Sequence, residues 1–75
     1  MAMTGDQYDA LVKLMRGDPA TAGNRAARRV LVDGLTQAEA MRETGSTRAA
    51  ISNAVRRYMD AGQLMQDVFG VKKSD

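Results

Sequence analysis

Apolar positions along the chain recur every three or four residues, and no run alternates strictly between apolar and polar. After Thr4 they fall at Tyr8, Leu11, Val12 and Met15, which is one face of a helix. Thr4 with Gln7 has the form of a capping box, so a first helix is predicted over about Gly5 to Arg16. Gly17 reads as a left-handed stop and Asp18-Pro19 as a fresh start. A second helix is predicted over Ala22 to Asp33, with Thr21 as its cap and Gly34 as its end. Its apolar side is Ala26, Ala27, Val30 and Leu31.

Thr36 and Glu39 repeat the capping-box spacing ahead of a short third helix, Gln37 to Thr44, with Ala38, Ala40 and Met41 inward. Gly45 follows at a place where positive φ would strain any other residue. Ser46 or Thr47 then caps a fourth helix, predicted to run to about Ala61 and to stop at Gly62. Ile51, Ala54, Val55, Tyr58 and Met59 form its inward stripe. Beyond it, Leu64, Met65, Val68 and Phe69 suit one side of a short fifth helix, though Gly70 and Val71 leave room for extended chain. Lys72 to Asp75 reads as a disordered end. The expectation is an all-α fold: a compact four- to five-helix domain, helical over 4–62, with a 63–75 tail.

Seventy-five residues suffice for one domain and no more. At this size, ordering costs of roughly 1.5 kcal/mol per residue nearly cancel apolar burial, so support is expected. The chain has no cysteine and no histidine, which excludes disulfides and the commonest metal ligands. Dimerisation is the remaining inexpensive support, and the tail residues Leu64, Met65, Val68 and Phe69 are the segment expected to provide it. The N-terminus lacks the basic and apolar regions of a secretory signal, and apolar runs stop at three residues, far short of a membrane span. A bacterial cytoplasmic protein associated with the nucleoid, with no membrane partner, is expected.

The same two absences remove catalytic triads, since Ser46, Ser52 and Ser74 have no histidine to activate them. Glu39 and Glu43 lie four apart on one helix, a pair more simply explained by solvation or by pairing with Arg42 or Arg29 than by catalysis. No glycine-rich phosphate loop occurs. No enzyme, cofactor or metal is expected.

Charge changes the picture more by its placement than by its sum of +2. Seven of the eight arginines (Arg25, Arg28, Arg29, Arg42, Arg48, Arg56, Arg57) fall in the middle of the chain, against only Asp33, Glu39 and Glu43 there. Arginine's planar donor fork suits phosphates and guanine edges. The third helix, a turn with Gly45 and the fourth helix match a helix-turn-helix unit, in which the first helix braces across the phosphate backbone and the second enters the major groove. Thr47, Arg48, Ala49, Ser52, Asn53 and Arg56 remain outward on the second helix. Arg48 can take guanine bidentately and Asn53 adenine, Ala49 and the Thr47 methyl can pack on a thymine methyl, and Ser52 can bond a base or a phosphate. Expected phosphate contacts are Arg25, Arg28, Arg29, Thr36, Gln37 and Arg57.

The segment "ARRVLVDGLTQAEAMRETGSTRAAISNAVRRY" resembles the DNA-binding core of the TrfB/KorA family of plasmid transcriptional repressors. The resemblance is carried by Val30-Leu31-Val32-Asp33-Gly34, Gln37-Ala38, Gly45, Thr47-Arg48, Ala50, Ser52, Ala54-Val55 and Arg57, and it extends over about Thr4 to Tyr58. One departure is Met41, where helix pairs prefer alanine for close backbone approach. The resemblance implies a homodimeric repressor on palindromic double-stranded DNA, with base contacts from Thr47, Arg48, Ser52, Asn53 and Arg56. The competing expectation is a small phage- or plasmid-encoded interaction module, an inhibitor or co-regulator, which uses the same fold to dock on another regulatory protein.

Overall fold

The computed structural model describes residues 3–69, which fold into four helices with no strand among them. They are α1 (Gly5–Leu14), α2 (Ala22–Asp33), α3 (Gln37–Thr44) and α4 (Arg48–Phe69). The expected disordered end, Lys72 to Asp75, lies outside the described residues.

Local chemistry starts all four helices in one way, with a threonine directly before the first helical residue. The hydroxyls of Thr4, Thr21 and Thr36 accept from the amides of Gln7, Asn24 and Glu39, satisfying donors that no helical carbonyl reaches. Gln7 and Glu39 return the bond to the cap amides, which completes two capping boxes. The bond from the Thr36 amide, then that from its hydroxyl, holds the Glu39 carboxyl below its ordinary value. That contribution is present above the unfolded-state value and is lost as pH falls through the lowered one.

Gly34 and Gly45 end α2 and α3 in the left-handed region, at φ 78° and 77°. The end of α1 departs from expectation. Arg16, not Gly17, takes positive φ (57°), and the helix stops at Leu14. The Arg16 amide bonds the Lys13 carbonyl (3.1 Å) and the Gly17 amide bonds the Val12 carbonyl (2.8 Å), the two bonds of a Schellman motif with arginine in the glycine seat. Gly17 is there for space, because a Cβ on it would collide with the Tyr58 hydroxyl. Arg16→Gly is expected to raise stability by about 0.5–1 kcal/mol through relief of this backbone strain. A urea midpoint unchanged or lowered would show that the turn is unstrained.

Two small clusters make the core. Tyr8, Leu11 and Val12 of α1 meet Ala27 of α2 and Ala54 and Tyr58 of α4. Tyr8 and Tyr58 pack edge to face, with ring centroids 5.1 Å apart. The Tyr8 hydroxyl donates to the Asn24 carbonyl (2.9 Å), and burial, followed by the neighbouring Tyr58, raises its pKa. The second cluster is Ala26, Ala40 and Ile51, joining α2, α3 and α4. Met41 is only half-buried at its edge; Ala40, fully buried, is the small residue that lets α3 approach. Ala38, expected inward, is exposed.

The fourth helix does not stop at Gly62. It runs 22 residues, about 33 Å, while the other three span 8 to 12. A Cβ on Gly62 would meet the Met3 and Leu11 side chains at 3.4 and 3.6 Å, in ordinary contact, so neither backbone conformation nor space demands a glycine there and it does not end the helix. The tail is therefore the continuation of α4, with no separate fifth helix among the described residues. Met15 (42% exposed) and Met59 (53%) were expected inside and lie at the surface. Met15 falls past the last turn of α1.

Candidate nucleic-acid interface

Between α3 and α4 the chain turns through Gly45, Ser46 and Thr47. Thr44 sends its hydroxyl proton back to the Ala40 carbonyl (2.7 Å) and accepts from the Ser46 amide (3.3 Å). Buried Ser46 donates to the Thr47 carbonyl (3.2 Å). The Thr47 hydroxyl accepts from the Ala50 amide (3.1 Å), so Thr47, and not Ser46, caps α4. With Ile51 wedged behind it against Ala40 and Ala26, the first turn of α4 is held from two sides. Gly23 of α2 lies beside Ala50, where a Cβ would meet Ala50 Cβ at 3.4 Å in ordinary contact.

This packing leaves one side of α4 to solvent. Arg48, Ala49, Asn53 and Arg56 are exposed, and Ser52 is half-buried among them. Ser52 Oγ donates to Gln37 Oε1 (3.2 Å), linking the first residue of α3 to the second turn of α4. Arg48, Arg56 and Arg57 form no ion pair among the described residues. Arg57 and Asn53 border a shallow groove closed on its far side by Asp18, Thr21 and Asn24.

The family of TrfB plasmid transcriptional repressors matches residues 3–70. This chain belongs to that family. Its class of activity is therefore transcriptional repression on DNA, and not catalysis. No curated protein and no solved structure matches it.

In this TrfB-family repressor the arginines of α2 stand differently from those of α4. Arg28 is forked onto Asp9 of α1 (3.0 and 3.3 Å). Arg29 bonds Glu43 of α3 (2.6 and 3.0 Å) and Asp33 on its own helix (2.8 Å). Hydrogen bonds donated to Asp9 by Arg28, and to Glu43 and then Asp33 by Arg29, push the two guanidinium pKa values further up. These exposed pairs contribute little to stability but fix α2 against both neighbours. With their charge already matched by carboxylates, Arg28 and Arg29 pull less strongly on a phosphate than do the arginines of α4, which are unpaired among the described residues. Arg25 donates to the Ala20 carbonyl (3.2 Å). Thr36 is committed to its cap.

Leu64, Val68 and Phe69 are 61–67% exposed on the last turns of α4, and Met65 is half-buried beside them. Leu14 and Met15 at the end of α1 extend this apolar area and line a groove with Leu64 and Met65. Sequence reasoning missed the α1 part because Leu14 lies off the inward stripe and Met15 lies on it. No helix among the described residues is long and apolar enough to cross a membrane.

Proposed function

We propose that this repressor reads operator DNA with the N-terminal half of α4 in the major groove, α3 and α4 acting as a helix-turn-helix. The observation that carries the reading is the exposed arc Arg48, Ala49, Ser52, Asn53 and Arg56, backed by a rigid junction and free of carboxylate partners among the described residues. Helix α4 brings the arginine fork and the asparagine amide, the two groups that discriminate guanine and adenine bidentately. Thr47 at the cap and Arg57 at the edge are phosphate contacts, joined by Gln37, Thr36 and, more weakly, the arginines of α2.

A pair of copies joined through Leu64, Met65, Val68, Phe69 and the adjoining Leu14 and Met15 would bind a palindrome, as two-fold symmetry requires. Such a protein works on plasmid DNA in the bacterial cytoplasm, associated with the nucleoid. Selection from a random duplex pool tests the reading. Enrichment of a palindrome with half-sites about 10–10.5 bp apart is expected. A pool that stays random would overturn it. The exposed apolar end of α4 also favours a second reading, a phage- or plasmid-encoded module that docks on another regulatory protein. A monomeric mass together with indifference to DNA at modest salt would select that reading.

Arg48→Ala and Asn53→Ala are each expected to weaken operator binding by roughly 1–3 kcal/mol and to relax discrimination at one base pair. Arg57→Ala should weaken all duplexes alike and reduce the salt slope by about one. Unchanged preference among randomised duplexes after Asn53→Ala would remove that residue from the reading set.

A further inference from the structure

A serine hydroxyl has one proton and two lone pairs, so a freely rotating serine in the major groove accepts from an amine or donates to a carbonyl with little preference. Serine within a helix commonly returns its proton to the carbonyl one turn back. Thr44 does this at the end of α3. Ser52 does not. Its proton goes across to Gln37 Oε1 on another helix, 3.2 Å away, and both residues are half-buried, which shields the bond from competing water.

Gln37 is well placed to hold that proton. It is the first residue of α3, directly after the Thr36 cap, whose box with Glu39 fixes the backbone there. The packing of Ala40 on Ile51 and the Gly45 turn set α3 against α4. Ser52 in turn sits one helical turn from Arg48 and one from Arg56, on the inner edge of the exposed arc.

We infer that Gln37 fixes Ser52 as a hydrogen-bond acceptor, so that Ser52 selects an exocyclic amine, adenine N6 or cytosine N4, in the major groove. The lone pairs left on Ser52 Oγ point away from Gln37, toward the exposed arc. A thymine or guanine carbonyl in the same place faces lone pairs and is rejected. Gln37 is here a positioning residue. Its own amide protons stay available for a phosphate, so one side chain couples backbone register to base choice. This inference rests on the reading of α4 as the groove helix.

The test begins with selection from a random duplex pool, using the wild type and Ser52→Ala. The wild type is expected to enrich one site, and Ser52→Ala to lose preference at a single base pair per half-site. At that pair the amine is then deleted, by purine in place of adenine or 2-pyrimidinone in place of cytosine. In a parallel duplex the carbonyl of the partner base is deleted instead. Loss of the amine should weaken wild-type binding about two- to tenfold relative to Ser52→Ala, and loss of the carbonyl should not. Gln37→Met releases the hydroxyl to rotate, so a base pair that puts a carbonyl in place of the amine should be tolerated nearly as well as the wild-type pair. Gln37→Glu keeps an acceptor facing Ser52, so the penalty should persist while all duplexes bind more weakly.

A penalty on the carbonyl instead of the amine overturns the inference, as does a Ser52→Ala site identical to the wild type's. A Gln37→Met variant that still rejects the carbonyl pair as strongly as the wild type also overturns it. A wild type that enriches no sequence overturns the groove reading itself, and the wild-type arm alone reports that failure.

Discussion

Tyr58→Ala is expected to lower stability by about 3–5 kcal/mol, enough to unfold much of a domain this small at ambient temperature. Tyr58 is completely buried and packs edge to face on the Tyr8 ring, so its loss opens a void between α1 and α4. Tyr58→Phe separates packing from polarity. The Tyr58 hydroxyl is buried, and no protein group among the described residues bonds it. It also fills the space that a Cβ on residue 17 would need. Removing it should leave stability unchanged or raise it by up to about 1 kcal/mol. Tyr8→Phe should instead cost about 1 kcal/mol, since that hydroxyl is bonded to the Asn24 carbonyl. Urea unfolding of the three variants checks the set. A Tyr58→Phe variant weaker than Tyr8→Phe would contradict this account of the core.

Ile51→Ala is expected to cost about 2–5 kcal/mol, and Ile51→Val about 0.5–1.5 kcal/mol. Ile51 is the one large side chain fully buried where α2, α3 and α4 meet, and its buried neighbours Ala26 and Ala40 have nothing beyond Cβ to fill a gap. Only Met41, half-buried at the edge, is long and flexible enough to lean in. The variant should also bind operator DNA less tightly than its folded fraction accounts for, because the wedge that sets α4 against α3 is gone. Thermal unfolding combined with titration of the operator checks both effects. Binding in full proportion to the folded fraction would show that Gly45 and its turn set the junction unaided.

The helix starts were legible because a threonine cap is a local contract: its hydroxyl reaches an amide three residues on, and Thr4, Thr21 and Thr36 needed nothing distant. Gly34 and Gly45 were legible for a similar reason, as nothing lies near enough to make space their purpose. Gly17 was misread because glycine serves two ends, positive φ and close approach, and only the Tyr58 side chain, brought near by folding, decides between them. Gly62 was misread because a glycine can also sit inside a helix that other contacts carry past it. Periodicity told which side of α4 faces inward but not where α1 gives out, so Met59 was placed in a core that does not extend over it.

In the interface the same boundary applies. Exposure of Arg48, Asn53 and Arg56 followed from the stripe opposite them. The pairing of Arg29 with Glu43 was among the expected ones, and its bond to Asp33 has the i, i+4 spacing of a helix face. The carboxylate that occupies Arg28 lies 19 residues away in sequence and the Gln37–Ser52 bond spans 15, distances across which no spacing rule operates.

Because α4 passes unbroken through Gly62, Ser52 and Phe69 are two points on one rod, about 25 Å apart along its axis. Whatever grips the far end therefore sets the angle and reach of the near end, as a handle sets a blade. A single inserted residue between them would swing one end about 100° relative to the other. In a pair of copies joined at the far ends, the spacing between the two near ends would thus be written into helix length.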